Sequence, residues 1–299
     1  MAEYGPAKGD AAHARAFTIA CVQMEPRIGA AQHNLATALD RIETAARNGA
    51  ALIVLPELAS SGYVFEDRDE ALALAELVPD GPTARAFEAI ARRLNVHIVS
   101  GIAERDGARL YNSALFAGPG GHLGVYRKLH LWDNEKRFFE PGDRGVPVFD
   151  TPLGRIAMAI CYDVWFPETF RLAVMQGADL VCVPTNWVPM PSQPDDRPGM
   201  ATTLTMAAAH SNGIAIACAD RVGIERDQPF IGQSLIVGGD GWPVAGPASI
   251  DREEIVYGTI DVARTRAGRA LNAHNHVLRD RRADIYDPML GTGWPVSPP

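Results

Sequence analysis

Cys161 closes an apolar, β-like run, Ile156 to Ile160, and the character of the chain then changes at once. Tyr162 and Asp163 follow, then aromatic and proline residues, and a helical pattern opens at about Pro167. A strand that delivers a nucleophile-capable side chain just before a helix is a placement used by many hydrolases. Such a cysteine becomes a reagent only when a base and a charge stabiliser reach it from elsewhere. LIVLPEL at 52–58 offers Glu57 for the first role, and YRKLHL at 126–131 offers Lys128 for the second. Each also has a plainer reading. A cysteine after an apolar strand is usually a small buried hydrophobe, which is how Cys21, Cys182 and Cys218 are read. A lone glutamate usually faces water, and a lysine in YRKLHL could be a sheet-edge charge.

The elements that would bring these residues together can be traced along the chain. FTIACVQME at 17–25 reads as a buried strand. Leu35, Leu39, Ile42 and Ala46 recur at helical spacing, with Gly49 placed to end the helix. The strand ALIVLPEL follows directly, and Pro56 would interrupt a sheet ladder, so Glu57 belongs at the strand's end. Pro82 suits the first turn of a second helix, whose apolar face is Phe87, Ile90, Ala91 and Leu94. VHIVSGIAER is the next strand. YNSALFAG and LGVYRKLHL, separated by PGG, form a hairpin, so the sheet is mixed. GPGGHLG lacks the helix that a phosphate loop requires. After Cys161 come a helix to Gly177, the strand LVCVPTNW at 180–187, a Pro-rich loop and an Ala-rich helix at 200–210. IAIACADRV, QSLIVGG and EIVYGTIDV add strands, the second reversing through Asp240-Gly241. Roughly four helices among about ten strands, in strand–helix alternation, imply α/β sheets covered by helices.

Bulk composition narrows the field. The 299 residues are 47% hydrophobic and 21% charged, as in soluble globular proteins. A formal net charge of −8 argues against nucleic acid as a partner. No apolar run approaches the roughly 18 residues of a membrane span. MAEYGPAKGDAAHAR lacks an apolar leader core and reads as a loose tail on a cytoplasmic protein. The four cysteines show neither CxxC nor zinc spacing, which disfavours a disulfide framework. The expected division is a tail at 1–15, a single domain at 16–290 and a second tail at 291–299.

LPEL with Glu57, YRKLHL with Lys128 and CYDVWFPE with Cys161 resemble the three signature blocks of the nitrilase superfamily of carbon–nitrogen hydrolases, in order and separation. GP-x10-LNVHIVSGIAER and PETFR-x5-GADLVCVPTNW resemble its connecting segments, so the likeness runs nearly the whole chain. It implies a four-layer α-β-β-α sandwich with mixed sheets. Also implied is a homodimer or higher homo-oligomer, built on the helices after Pro167 and at 200–210. The substrate expected is a small-molecule amide, with no cofactor, no metal, no nucleic acid and no membrane. In amidase members a further glutamate follows the lysine block; Glu135 is the best match here and Glu140 the second choice. Tyr162-Asp163 after the cysteine fits amidases and carbamoyl hydrolases better than nitrilases, which usually show Trp-Glu.

The chemistry agrees with the resemblance. Amide cleavage needs a strong nucleophile, an acid for the departing nitrogen and a stabiliser for the oxyanion. Free Cys and Glu differ by about four pKa units in the wrong direction, about 6 kcal/mol against proton transfer. Burial would raise the Glu, Lys128 would favour thiolate, and a second acid would raise Glu57 further. Tyr63, Trp132, Tyr162, Trp165, Asn186 and Trp187 are the candidates to touch substrate. His130 is read as support beside Lys128 rather than as a papain-like base, and His274 and His276 as a solvated loop rather than metal ligands. A catalytically silent interaction protein is the competing class, and it has no need of all three of Glu57, Lys128 and Cys161.

Overall fold

The structure, a computed structural model, describes residues 16–191, 193–194 and 196–290. The tails expected at 1–15 and 291–299 lie outside the described residues. In chain order come β1 (Phe17–Gln23), α1 (Ala31–Arg47), β2 (Ala50–Val54), α2 (Arg68–Leu74) and α3 (Pro82–Leu94). Next are β3 (His97–Asp106), β4 (Arg109–Gly118), β5 (Gly121–Arg127) and the single turn α4 (Glu135–Phe138). β6 (Val148–Thr151) and β7 (Gly154–Met158) lead to a 3-10 turn, Cys161–Trp165, then to α5 (Pro167–Met175) and β8 (Leu180–Pro184). α6 (Met200–Asn212), β9 (Ala215–Ala219), β10 (Ile224–Glu225), β11 (Gln228–Pro229), β12 (Leu235–Val237) and β13 (Pro243–Ala245) follow. β14 (Glu254–Ile260), α7 (Val262–Ala267) and α8 (Ala283–Leu290) complete the order.

Two six-stranded mixed sheets share one plan. The first runs β14-β1-β2-β3-β4-β5 and the second β13-β12-β9-β8-β7-β6. In each, three central strands are parallel (β1, β2, β3 and β7, β8, β9) and antiparallel strands flank them. Side-chain alternation then sorts the layers. Ile19, Cys21, Leu52 and Val54 point between the sheets, toward Met158 and Cys182. Their neighbours Ala20, Val22, Ile53 and Leu55 face α1 and α3 through Ile42, Phe87 and Ile90. On the far side, α5 and α6 cover the second sheet through Phe170, Val174, Ala208 and Ala209. The result is the α/β, α-β-β-α arrangement expected from the sequence. No helix among the described residues is long and apolar enough to cross a membrane.

Several details differ from the sequence reading. The buried stripe of α1 is Asn34, Ala38, Ile42 and Ala45, with Leu35, Leu39 and Ala46 only partly buried beside it. The helix is rotated by about one residue because small side chains let it sit close to β1 and β2. β6, β10, β11 and β13 are two to four residues long, below the length at which alternation is readable. α2, α4, α7 and α8, four to eight residues long, were also not expected.

The carboxyl ends of β2, β7, β8 and β9 gather at one end of the sandwich, where ligands bind in open α/β sheets. The turn carrying Glu57 lies on Gly101 of β3, whose N–H donates to Pro56 O at 3.0 Å and whose O accepts from Ala59 N at 3.2 Å. A Cβ on Gly101 would collide with Leu58 N and the Glu57 Cα. Gly101→Ala should therefore push the Glu57 turn away, lowering stability by about 1–3 kcal/mol in denaturant unfolding. An unchanged midpoint would contradict this close approach.

Candidate active site

Glu57, Lys128 and Cys161 come from three different loops and meet at that end of the sandwich. Glu57 stands three residues past β2, Lys128 one residue past β5 and Cys161 three residues past β7. Lys128 is fixed by its backbone, N–H to Asn112 O and O from Gly142 N, each 2.8 Å. Arg127, one residue earlier, points the opposite way and is held by Glu104, Asp106 and Asp143. The Lys128 Nζ lies 2.7 Å from both Glu57 Oε1 and Glu135 Oε1. All three side chains are buried. Asn112 donates to Glu57 Oε1 at 2.7 Å and to Glu135 Oε2 at 3.4 Å, and the Tyr63 hydroxyl donates to Glu135 Oε1 at 2.6 Å. Glu57 Oε2 is buried without a hydrogen-bond partner. Of the two candidates for second acid, the structure brings Glu135 to Lys128 and leaves Glu140 exposed, its N–H on Leu110 O.

The turn that carries Cys161 is strained. Cys161 has φ +44, a left-handed conformation that costs a non-glycine residue about 1–2 kcal/mol. Asp163, fully buried, holds the turn in place. Its Oδ2 accepts from Ile160 N at 2.9 Å and from the Tyr126 hydroxyl at 2.7 Å. Its Oδ1 accepts from His130 N at 3.1 Å and lies 2.7 Å from His130 Nδ1. The His130 ring stacks on Phe166. His130 is thus packed against the Cys161 turn through Asp163 and Phe166.

The electrostatics follow from burial and from the pairing around Lys128. Burial raises Glu57, Lys128 pulls it down, Glu135 pushes it up again, and the result is about 7. Burial also drives the Cys161 thiol well above its ordinary value, with Glu57 adding to the rise. Lys128 and the Asn186 N–H act the other way on the sulfur. Burial works against the Lys128 charge, but Glu135, Glu57 and Cys161 outweigh it and hold the ammonium above the usual lysine range. Burial and the surrounding acidic groups, Glu135 first, raise the Tyr63 phenol well above its ordinary range.

The remaining sequence candidates divide. Trp132, Tyr162, Trp165, Asn186 and Trp187 line a chamber with Cys161, whereas Tyr63 lines an adjoining cleft with Glu135. Asn186 also donates from Nδ2 to Glu57 O at 3.0 Å, so it ties the two sheets' loops together. Trp187 is almost wholly buried, its N–H bonded to Asp220 Oδ1 at 3.0 Å. His274 is exposed and His276 half-buried, and no group of three metal-binding side chains occurs among the described residues. Sequence reasoning missed Asn112, the bracing role of Asp163, and Glu225. The last is buried, pairs with Arg221 at 3.1 Å, and accepts from Tyr63 N and Val64 N at 2.8 and 2.7 Å. It thereby sets the loop that delivers the Tyr63 hydroxyl to Glu135.

A family model described as carbon-nitrogen hydrolase matches residues 18–270. A nitrilase of Pyrococcus abyssi is 41% identical over 90% of this chain and 98% of its own. An N-carbamoylputrescine amidase of Solanum lycopersicum is 33% identical over 86% of this chain and 89% of its own. The crystal structure of an amidase from Nesterenkonia sp. superposes with TM-score 0.75 at 28% identity, over 91% of this chain and 95% of that one. The chain belongs to the carbon–nitrogen hydrolases of the nitrilase superfamily, enzymes that hydrolyse carbon–nitrogen bonds.

Asp163→Ala would leave the Ile160 N–H, the Tyr126 hydroxyl and the His130 N–H without their acceptor. Each orphaned buried group costs about 1–3 kcal/mol, so unfolding free energy should fall by about 3 kcal/mol or more. A loss below about 1 kcal/mol in denaturant titration would show that the turn does not depend on Asp163.

Proposed function

We propose that this protein is a cysteine-dependent amidohydrolase that cleaves the C–N bond of a small amide through a thioester, releasing carboxylic acid and ammonia. One observation carries the reading: Glu57 Oε1 is committed to Lys128 and Asn112, while its buried Oε2 has no partner. An acceptor held in this way and raised to about 7 is matched to take a proton at neutral pH. In the proposed sequence Glu57 accepts the Cys161 proton and the sulfur attacks the substrate carbonyl. Lys128 Nζ and the Tyr162 backbone N–H stabilise the oxyanion. The tetrahedral adduct collapses as Glu57 protonates the leaving nitrogen, and the acyl group stays on sulfur. Water, oriented by Glu57 and Glu135, then attacks the thioester; its proton passes to Glu57, and the C–S bond breaks as the thiol is restored.

A second reading is nitrile hydrolysis, favoured by the name of the Pyrococcus abyssi relative. A third is hydrolysis of an N-carbamoyl compound, favoured by that of the Solanum lycopersicum relative. Against the nitrile stands Tyr162-Asp163 after the nucleophile. Cytoplasmic location and self-association belong to the same proposal, with exposed Leu172, Met175 and Met200 on α5 and α6 as the surface for a second copy.

Ammonia release from amides, N-carbamoyl compounds and nitriles, with hydroxylamine trapping of the acyl-enzyme, tests the proposal. Amide turnover that yields a hydroxamate and vanishes in Cys161→Ala is the expected result. Acid from nitriles but not from amides would favour the second reading, and activity retained in Cys161→Ala would overturn the mechanism.

The pH profile offers a separate check. The base form of Glu57 accumulates as pH rises, so kcat/KM should climb through a limb near pH 7 rather than near the ordinary carboxylate range. Glu135 raises that value, so Glu135→Gln should move the limb to lower pH. A limb that stays in place would separate Glu135 from the titration of Glu57.

A further inference from the structure

We infer that the acyl group accepted against Cys161 is short and carries no negative charge, an inference that rests on the amidohydrolase reading above. Trp132, Tyr162, Trp165, Trp187, Val188 and Met190 wall the chamber beside the sulfur, and Asn186 supplies its polar edge. None of these side chains is charged at neutral pH. The nearby ionised groups, Lys128, Glu57 and Glu135, are already engaged with one another. A carboxylate on the acyl group would thus be desolvated with no free cation to meet it, beside a cluster that is net negative when both its carboxylates are ionised.

The chamber is also small. Its free volume is about 20 Å³, where a single water-sized group takes about 10–15 Å³. Its wall is braced, because Tyr162 packs on Trp132 at 4.8 Å, Phe166 at 5.1 Å and Trp165 at 5.7 Å between ring centres. The adjoining cleft of about 70 Å³ shares Trp132 and Val188 with the chamber and carries the Asp133 carboxylate.

The test is kcat/KM of the full-length enzyme on matched amides. Propionamide and butyramide are set beside succinamic acid, whose acyl group carries a carboxylate at neutral pH. Short neutral amides should exceed it by about 100-fold or more, about 2.8 kcal/mol at tenfold per 1.4 kcal/mol. Equal or faster turnover of succinamic acid overturns the inference. Trp165→Ala and, separately, Met190→Ala should each shift preference at least tenfold toward longer neutral acyl groups such as hexanamide, with succinamic acid still excluded. A chain-length profile unchanged in both variants would also overturn it. Failure of the underlying reading looks different: no member of the panel yields ammonia and hydroxylamine traps nothing, and the inference falls with it.

Discussion

A single buried ammonium governs this site. Lys128 sits 2.7 Å from two carboxylates in surroundings that exclude water. Desolvating an isolated lysine would cost several kcal/mol and drive off its proton; two partners reverse that outcome. The balance is not neutral. With both carboxylates ionised the cluster carries one net negative charge, and Glu57 gives way to a value about 7. Asn112 and Tyr63 meet part of the remaining hydrogen-bonding demand, so the cluster is held by two neutral donors as well as by charge. The raised value of Glu57 thus comes from its own burial and from Glu135, against the pull of Lys128.

The sandwich exists, in this view, to bring loops from two sheets onto that lysine. Residues at 57, 128, 135 and 161 can meet only because each parallel trio ends at the same edge. Contacts between the sheets' loops make the meeting rigid: Asn186 Nδ2 donates to Glu57 O, and Glu57 N–H lies 3.4 Å from Thr185 O. Close approach is secured by the missing side chain at Gly101. Strain at Cys161 is of the order of 1–2 kcal/mol, and Asp163 offsets it with acceptors for donors from three segments.

What was legible in the sequence was whatever depends on local pattern. Glu57 and Cys161 follow apolar runs broken by Pro56 and by a polar switch, and so could be placed at strand ends. Glu135 required the family resemblance, because its helix is a single turn with no periodicity to read. Asn112 looked like any polar residue in a strand; its importance lies in Glu57, 55 positions away, and Glu135. Glu225 acts on Tyr63 across 162 positions, through a carboxylate bonded to backbone N–H groups, which leaves no trace in side-chain spacing. The α1 stripe was misjudged by about one residue because leucines outscore the Ala and Asn side chains that fit beneath the helix.

The proton gap between thiol and carboxylate shows why so many groups are needed. Burial raises Glu57, as the sequence argument required, but it raises Cys161 as well. Proton transfer depends on the difference, so burial alone does not close it. Lys128 lowers both groups and is likewise only partly discriminating. The discriminating contacts act on one partner each. Glu135 lifts Glu57, while the Asn186 N–H lowers the sulfur. On the proposed mechanism the proton rests on sulfur in the free enzyme. The thiolate then forms as the carbonyl arrives and its developing oxyanion draws on Lys128, which loosens that ammonium's hold on Glu57 and strengthens the base when it is needed.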